Sequence, residues 1–339
     1  MPARRPKSLA FITAGDVRRA LHANELETME LVESVYRKHA RGATVNPASL
    51  FLQFPDRPDA RIIALPAALG ADAAGVKWIS SFPSNHEIGL PRASAVLILN
   101  DAETGYPIAC IEASRISATR TAASAAVIAR ALVQHRHEPS TIGFIGTGLI
   151  ATFVHRYLAA AGITAPKIAV YDTVAERAAA FLQRIGRPDG ILGTSAEDIV
   201  RQSELVVFAT TAGTPYVDDL EAFQHHPIVL HVSLRDLSPS VIQRAVNIVD
   251  DIDHCLTANT SVHLVEQARG DRDHIAGTIA QVLDGEFTPK ADETVVVSPF
   301  GLGVLDIALG QRVFERTSYA AVRIDDFFYD GATEKGGAS

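Results

Sequence analysis

A glycine-rich turn is the segment whose residue types and spacing point most directly to chemistry. The apolar residues 142–145 predict a short buried strand, and a GxGxxA pattern opens the helix after it: Gly146, Thr147, Gly148, Leu149, Ile150 and Ala151. The first glycine permits a tight turn, the second lets backbone N–H groups approach a pyrophosphate, and the alanine lets the helix pack closely on its strand. The positive end of that helix would face the anion. We therefore predict that residues 146–150 contact a dinucleotide, with a purely structural glycine turn as the alternative.

The strand predicted next, at residues 167–171, favours NAD as the dinucleotide. It ends at Asp172, whose carboxylate can accept hydrogen bonds from an adenosine ribose. Thr173 follows, and no arginine is adjacent to bind the additional phosphate of NADP. Thr210 and Ser298, which follow or end later predicted strands, complete the residues that we expect to contact the cofactor.

Lys77 and Arg120 are cations in unusual surroundings. Lys77 lies within the apolar residues 75–79. It is either an edge-strand lysine with its ammonium in solvent or a buried amine that holds a carboxylate or activates water. Arg120 lies near the start of an alanine-rich helix, where the helix dipole disfavours a cation. A planar guanidinium there can clamp a carboxylate or a pyrophosphate through two parallel hydrogen bonds.

The loop at residues 233–237 follows a strand predicted at residues 228–232. Ligands of doubly wound sheets bind beyond the carboxyl ends of the strands. Asp236 could accept a proton or anchor an amine there, and Arg235 could bind an acidic substrate. The alternative role for this loop is to cap the following helix, which Ser238 could do equally well.

The composition is that of a globular protein and excludes several classes of partner. Of 339 residues, 47% are hydrophobic, and the net charge of −8 argues against nucleic acid or an anionic membrane. The two cysteines provide no disulfide framework, and the histidines and cysteines lack metal-ligand spacing. We therefore expect no metal and a cytoplasmic location. The basic residues 1–7 precede no long apolar segment, so we expect no signal peptide, and we expect no membrane span.

The apolar periodicity divides the chain into two kinds of region. Thr13 and Asp16 predict a capping box at the first helix. Between residues 119 and 299, strands alternate with helices, which predicts a parallel doubly wound sheet. Within it, residues 262–283 read as helical. We predict an α/β protein in which a Rossmann domain, residues 119–299, is inserted into a second, α+β domain. Residues 1–118 and 300–339 would form that second domain, which we expect to bind substrate and to dimerise.

Several segments resemble the ornithine cyclodeaminase/μ-crystallin family. They lie at residues 77–78, 101–107, 118–123, 145–151 and 277–285, so the resemblance covers nearly the whole chain. Longer runs are similar to one branch of this family, which acts in 2,3-diaminopropionate biosynthesis; they lie at residues 51–58, 61–67, 77–83, 89–94 and 298–306.

The family resemblance implies NAD as cofactor, a homodimer formed through the second domain, and Lys77 and Arg120 as ligands of an amino-acid carboxylate. The branch implies a substrate in which a secondary amine joins glutamate to an aminopropionate. Hydride would pass from the glutamate α-carbon to NAD⁺, and water would split the imine into 2-oxoglutarate and 2,3-diaminopropionate. Four cations are candidates for the substrate carboxylates: Lys77, Arg92, Arg120 and Arg235. Asp236 is the candidate for accepting the amine proton, and Lys77 for polarising the imine or orienting water.

Two departures from the cyclodeaminase pattern disfavour ornithine cyclisation. Those enzymes carry an arginine after an early proline, where this chain has Ala48 and Ser49 after Pro47, and the loop at residues 233–236 is shorter than theirs. Two alternatives stay open: an ornithine cyclodeaminase or related amino- or imino-acid dehydrogenase, and a non-catalytic NADH-binding protein of the μ-crystallin kind. The product would feed siderophores or peptide natural products.

Overall fold

The structure is a computed structural model that describes residues 8–329. The expectation that residues 1–7 do not begin a signal peptide falls outside these residues. The described strands are β1 (Ser8–Ile12), β2 (Leu50–Phe54), β3 (Arg57–Leu69), β4 (Ala73–Ser81), β5 (Ala93–Asn100), β6 (Pro107–Glu112), β7 (Thr141–Ile145), β8 (Lys167–Tyr171), β9 (Ile191–Leu192), β10 (Leu205–Phe208), β11 (Ile228–His231), β12 (Val246–Val249), β13 (Ile275–Thr278), β14 (Val295–Ser298) and β15 (Val322–Asp325).

The described α-helices are α1 (Ala14–Leu21), α2 (Glu25–Ala40), α3 (Ser114–Val133), α4 (Leu149–Ala160), α5 (Ala175–Arg184), α6 (Ala196–Arg201), α7 (Pro239–Arg244), α8 (Ile252–Cys255), α9 (Ser261–Arg269), α10 (Ile279–Leu283) and α11 (Gly303–Thr317). Two 3₁₀ helices span Pro83–Ile88 and Leu220–Phe223. The capping box predicted at α1 is confirmed, because the Thr13 side chain accepts the Asp16 N–H and the Asp16 side chain accepts the Thr13 N–H.

The chain forms two compact units. Of the described residues, the first unit contains 8–23, 42–117 and 303–329, and the second contains 24–41 and 118–302. We expected residues 24–41 to belong with the rest of the N-terminal region, but this segment, which contains α2, groups with the second unit. Within that unit, Tyr36 of α2 donates a hydrogen bond to Ser124 of α3 at 2.9 Å, and Arg37 forms an ion pair with Asp284 at 2.6 Å. These contacts join residues far apart in sequence, so local patterns did not reveal them.

The first unit is built on a seven-stranded sheet of order β15-β1-β6-β5-β4-β3-β2. Only β1 and β6 pair in parallel; the other neighbouring strands are antiparallel. Helix α11 packs on β3, β4 and β5. Successive side chains of a strand point to opposite faces, so Lys77 of β4 shares one face with its buried cross-strand neighbours Leu65 and Leu97. Trp78 shares the opposite face with Ala64 and Val96.

The second unit is an eight-stranded sheet of order β13-β12-β14-β11-β10-β7-β8-β9, in which every pair is parallel. The central strands β7, β10, β11 and β14 are buried along their whole length. Continuously apolar strands of this kind are typical of parallel sheets covered on both faces. The predicted α/β fold with a Rossmann-type parallel sheet is therefore confirmed.

One predicted helix is wrong. Residues 262–283 form α9, then the short strand β13, then α10. Gly270 ends α9 in the left-handed conformation, with φ of 75°, and β13 pairs with β12. A second capping box, between Thr278 and Gln281, then begins α10. The apolar spacing of a four-residue strand between two helices cannot be distinguished from that of a continuous helix. The pairing of β13 with β12 is what identifies this segment as a strand.

Helix α3 is long and apolar enough, by length and composition, to cross a membrane. Its most apolar 18-residue window has a mean hydropathy of 1.2, and 72% of that window is buried inside the protein. Core helices of globular proteins share these properties, so this helix is weak evidence for a membrane span.

Candidate functional site

The glycine-rich turn lies at the point where the strand order of the parallel sheet reverses. Strand β7 lies between β8 and β10: the chain first proceeds outward through β8 to β9 and then returns to β10 on the other side. Doubly wound sheets bind their ligands at such a switch point, beyond the carboxyl ends of the strands. Gly146, Asp172, Thr210 and Asp236 all follow the carboxyl ends of strands in this sheet.

The turn has the geometry that a pyrophosphate site requires. Gly146 has φ of 82°, and a Cβ on it would lie 2.6 Å from the carbonyl oxygen of Ala209. Gly148 is the N-cap of α4 and provides no side-chain cap. Among the described residues, no atom lies within 4 Å of a Cβ built on Gly148. No side chain caps the start of α4, and the space beside Gly148 is open, which fits an anion. Leu149 is exposed and Ile150 is half-buried at the same helix start.

Asp172 links the end of β8 to this turn. Its Oδ2 accepts hydrogen bonds from the Thr147 N–H at 3.0 Å and from the Thr147 hydroxyl at 2.7 Å. Its Oδ1 accepts the Val174 N–H at 3.1 Å. A carboxylate oxygen can accept more than one hydrogen bond, so Oδ1 retains capacity for a ribose hydroxyl. These residues fit an NAD dinucleotide, of which residues 146–148 would hold the pyrophosphate and Asp172 the adenosine ribose.

Asp236 is the centre of a buried polar network at the ends of β10, β11 and β14. Its carboxylate is fully buried and accepts hydrogen bonds from the Thr210 and Ser233 hydroxyls. Tyr216 donates to it at 3.2 Å. His231, also fully buried, has Nε2 at 3.1 Å from the Asp236 nitrogen and 3.2 Å from Oδ2; the imidazole tautomer decides which of the two it bonds.

The network keeps Asp236 ionised. Burial by itself would raise the pKa of this carboxyl, but interactions with His231, Ser233 and Thr210 outweigh it and hold the pKa below its usual value. Burial and the Asp236 charge raise the pKa of Tyr216, so its phenol remains a donor. The ionised form is the one that a proton acceptor needs, and the same interactions that lower the pKa also make this carboxylate a weaker base. The capping role is filled by Ser238, the N-cap of α7, whose hydroxyl accepts the Val241 N–H.

Ser298 belongs to the same network, whereas Arg235 is directed elsewhere. The Ser298 hydroxyl lies 3.4 Å from Nδ1 of His231, and its carbonyl accepts the Cys255 thiol at 3.2 Å. Arg235 donates from Nε and Nη2 to the Ala258 carbonyl at 3.1 and 2.7 Å. This guanidinium therefore holds the loop after α8.

Arg120 packs against the loop that follows β14. It is 9% exposed, and a Cβ on Gly301 would lie 2.0 Å from its Nη1. Gly301 has φ of 101° and donates its N–H to Oδ2 of buried Asp250 at 2.6 Å. Burial raises the pKa of Asp250. The φ of 101° favours glycine at position 301, and the Arg120 guanidinium fills the space that a side chain there would take.

Lys77 is a buried cation in the first unit. It lies on β4, an interior strand between β3 and β5, and is 1% exposed, so the edge-strand interpretation is wrong. Its ammonium forms an ion pair with Asp306 of α11 at 2.5 Å, and Asp306 is fully buried. The ammonium also donates to the Ser117 hydroxyl at 3.3 Å. A buried charge is costly unless it is paired, so Asp306 is what keeps a lysine at this position.

Arg92 precedes β5 and reaches back to β4. Its Nη1 donates to the Ser81 hydroxyl at 2.8 Å. Burial of the guanidinium, together with the charge of Arg61, lowers the pKa of Arg92. Ser81 and Lys77 are an even number of residues apart on β4, so their side chains point to the same face of the sheet. The hydrogen bond to Ser81 therefore holds Arg92 on the face that carries Lys77.

Sequence reasoning missed three residues of these sites. Asp306 lies in the apolar start of α11, where a single acid among valine, leucine and isoleucine was a usable signal. His231 ends a buried strand and was set aside because it lacked metal-ligand spacing. Arg61 was read only as part of a strand.

Comparison with known proteins defines the class. The sequence profile of the ornithine cyclodeaminase/μ-crystallin family matches residues 10–320. The chain is 28% identical over 324 residues to N-((2S)-2-amino-2-carboxyethyl)-L-glutamate dehydrogenase of Staphylococcus aureus. The aligned region covers 91% of this chain and 96% of that protein. It is 28% identical over 298 residues to alanine dehydrogenase of Archaeoglobus fulgidus, over 85% of this chain and 89% of that one.

Solved structures of related proteins have the same fold. The crystal structure of CmnK superposes with a TM-score of 0.84 at 31% identity, covering 95% of this chain and 100% of CmnK. An archaeal alanine dehydrogenase dimer with bound NAD gives a TM-score of 0.82 at 25% identity, with 95% and 100% coverage. This is an NAD-dependent oxidoreductase of the amino- and imino-acid class. The chain belongs to the ornithine cyclodeaminase/μ-crystallin family.

Proposed function

We propose that this protein catalyses the NAD-dependent oxidative cleavage of N-(2-amino-2-carboxyethyl)-L-glutamate to 2-oxoglutarate and 2,3-diaminopropionate. The observation that carries the proposal is the similarity to the Staphylococcus aureus dehydrogenase along 96% of that protein. The buried ammonium of Lys77 adds support, because a substrate with several carboxylates needs cations that are held in place. One conjugate, one NAD⁺ and one water yield 2-oxoglutarate, 2,3-diaminopropionate, NADH and a proton.

Each proposed residue has a physical role in this reaction. Bound NAD⁺ supplies the hydride acceptor, while the protein positions and charges the site. Lys77 and Arg120 bind substrate carboxylates, and Arg120 can bind the pyrophosphate instead. Asp236 accepts the amine proton as hydride leaves the α-carbon, since its carboxylate is ionised. Lys77 then polarises the imine or orients water. Arg92 is a further carboxylate ligand, and Arg235, whose guanidinium donates to the Ala258 carbonyl, is the fourth candidate cation.

The test is the absorbance of NADH when purified protein meets NAD⁺ and the conjugate, with ornithine in a parallel reaction. NADH formed with the conjugate alone, together with 2-oxoglutarate, is the expected result. Proline formed from ornithine would instead establish a cyclodeaminase. If neither reaction forms NADH or proline, another amino- or imino-acid substrate or the μ-crystallin-like NADH-binding role is favoured. In that binding role, Lys77→Ala and Arg120→Ala would leave the function intact.

We further propose that the protein is a homodimer formed through the exposed face of the seven-stranded sheet. Leu50 and Trp78 lie in one cross-strand row with Val96, bridged by Ala64. Trp78 and Val96 are 43% and 40% exposed. A contiguous apolar row of this kind is a typical protein–protein contact, and an archaeal alanine dehydrogenase of this fold is a dimer.

Trp78→Glu is therefore expected to convert the dimer to a monomer, because a carboxylate on this face would be buried without a partner. The mass measured by sedimentation equilibrium checks this. Leu192→Glu, at a residue of β9 that is 53% exposed in the second unit, is the matched control and should leave the mass unchanged. A Trp78→Glu protein that remains dimeric, or a wild-type protein that is monomeric, would contradict the proposed interface.

The pathway and location are also proposals. The product would feed siderophore or peptide natural-product biosynthesis, and genes neighbouring this one would show which. Both cysteines, Cys110 and Cys255, are free thiols, which supports a cytoplasmic location.

A further inference from the structure

Two arginines of the first unit lie together at one end of the seven-stranded sheet. Arg61 of β3 is the cross-strand partner of Ser81 of β4. Arg92 donates to the hydroxyl of that same serine at 2.8 Å. Directly paired residues of antiparallel strands point to the same face, so both guanidinium groups extend from the side of the sheet on which Ser81 lies.

This side of the sheet is also the side of Lys77. Lys77 and Ser81 are four residues apart on β4, and alternate residues of a strand share a face. At ~3.4 Å per residue, the two positions are separated by ~14 Å along the strand. The face thus carries the buried ammonium of Lys77 at one position and a pair of guanidinium groups at another.

Among the described residues, no carboxylate balances the charge of the arginine pair. Within residues 8–329, neither Arg61 nor Arg92 has a carboxylate within ion-pair distance, and Arg61 makes no side-chain hydrogen bond. Two neighbouring cations without an acid repel each other, and the effect of Arg61 on the pKa of Arg92 has this origin. A bound carboxylate would relieve the repulsion and accept parallel hydrogen bonds from the guanidinium groups.

We propose that Arg61 and Arg92 form a carboxylate subsite that binds the side-chain carboxylate of the glutamyl part of the substrate. The inference rests on the proposed function and adds to it a specificity determinant, Arg61. Ser81 is a positioning residue, because its hydroxyl accepts a hydrogen bond from Arg92 and holds the guanidinium on this face. The subsite selects substrates with a second carboxylate over those, such as alanine or ornithine, whose side chains end in a methyl group or an ammonium.

The glutamyl carboxylate suits the subsite better than the carboxylate of the aminopropionate part. The aminopropionate carries a primary ammonium next to its carboxylate, and two guanidinium groups would repel that ammonium. The glutamyl side chain has no cation near its carboxylate. It also extends away from the α-carboxylate, for which Lys77 is the proposed ligand.

The test measures binding rather than turnover. With NADH present, 2-oxoglutarate and 2-oxopentanoate are titrated into wild-type protein; the second ligand has a methyl group in place of the second carboxylate. Wild-type protein should bind 2-oxoglutarate at least about tenfold more tightly than 2-oxopentanoate, because one charge-assisted hydrogen bond contributes about that much affinity. Arg61→Gln and Arg92→Gln should each remove most of this preference by weakening 2-oxoglutarate binding more than 2-oxopentanoate binding, and Arg61→Lys should retain more of the preference than Arg61→Gln.

Arg57→Gln is the matched control. Arg57 lies on the same strand as Arg61, carries the same charge, and packs over the rings of Phe54 and Phe82 at 5.1 and 5.7 Å. The preference should survive this substitution. Retention of the preference in Arg61→Gln and Arg92→Gln, or its equal loss in Arg57→Gln, would overturn the subsite.

The two proposals fail independently. A protein that does not oxidise the conjugate, but whose preference for 2-oxoglutarate depends on Arg61, has the subsite and a different substrate. A protein that oxidises the conjugate with a preference independent of Arg61 has the proposed function and no such subsite.

Discussion

Replacement of Asp306 with alanine is expected to lower the free energy of unfolding by about 3–5 kcal/mol, the range for removing one partner of a buried ion pair. Lys77 is 1% exposed and Asp306 is fully buried, so water cannot replace the lost carboxylate. Denaturant unfolding of the variant, measured without cofactor, checks the size of the loss. The ammonium would also lose its position, and oxidation of the conjugate should fall with it.

A double substitution separates the two consequences. Lys77→Met with Asp306→Leu removes both charges and replaces them with apolar side chains of similar volume, a change that is often neutral or stabilising in buried pairs. We expect the double variant to recover most of the lost stability and to remain inactive. If Asp306→Ala alone leaves stability unchanged, the ion pair does not hold Lys77 in the way described. If the double variant is active, Lys77 is not part of the reaction.

Gly146→Ala is expected to abolish NAD binding and to destabilise the second unit. Its Cβ would lie 2.6 and 2.8 Å from the carbonyl oxygen and carbon of Ala209, which are backbone atoms with little freedom to move. The φ of 82° adds a penalty of about 1–2 kcal/mol for a residue with a side chain. Overpacking of this kind costs about 1–3 kcal/mol in addition. Unfolding measurements and NADH fluorescence titration report the two effects.

Gly148→Ala is the matched comparison two residues further along the same turn. Its φ of −74° suits any residue, and a Cβ there meets no atom of the described residues within 4 Å. Stability should therefore change by no more than about 0.5 kcal/mol. The methyl group would enter the space in front of the α4 N-terminus, and a lost hydrogen bond to pyrophosphate should weaken NAD binding by about tenfold or more. Undiminished NAD affinity in Gly148→Ala would contradict the site.

The fold class and the cofactor were predictable because their signals are local. A glycine turn needs its glycines within a few residues of one strand and one helix, and Asp172 ends the next strand along the chain. The apolar strands of a parallel sheet are recognisable wherever they occur. The prediction was wrong where two element types alternate over short distances, as in residues 262–283, because a period of two and a period of 3.6 cannot be separated over four residues.

The tertiary structure decided which side chains meet. Lys77 was compatible with an edge strand or a buried site, and only the order of strands places β4 in the interior of its sheet. Its partner, Asp306, is 229 residues away in sequence. The pairing of Arg61 with Ser81 depends on the register of two strands. Local sequence patterns determine which elements form, whereas register and packing between distant segments determine which charges are paired, because those contacts have no signature within either segment alone.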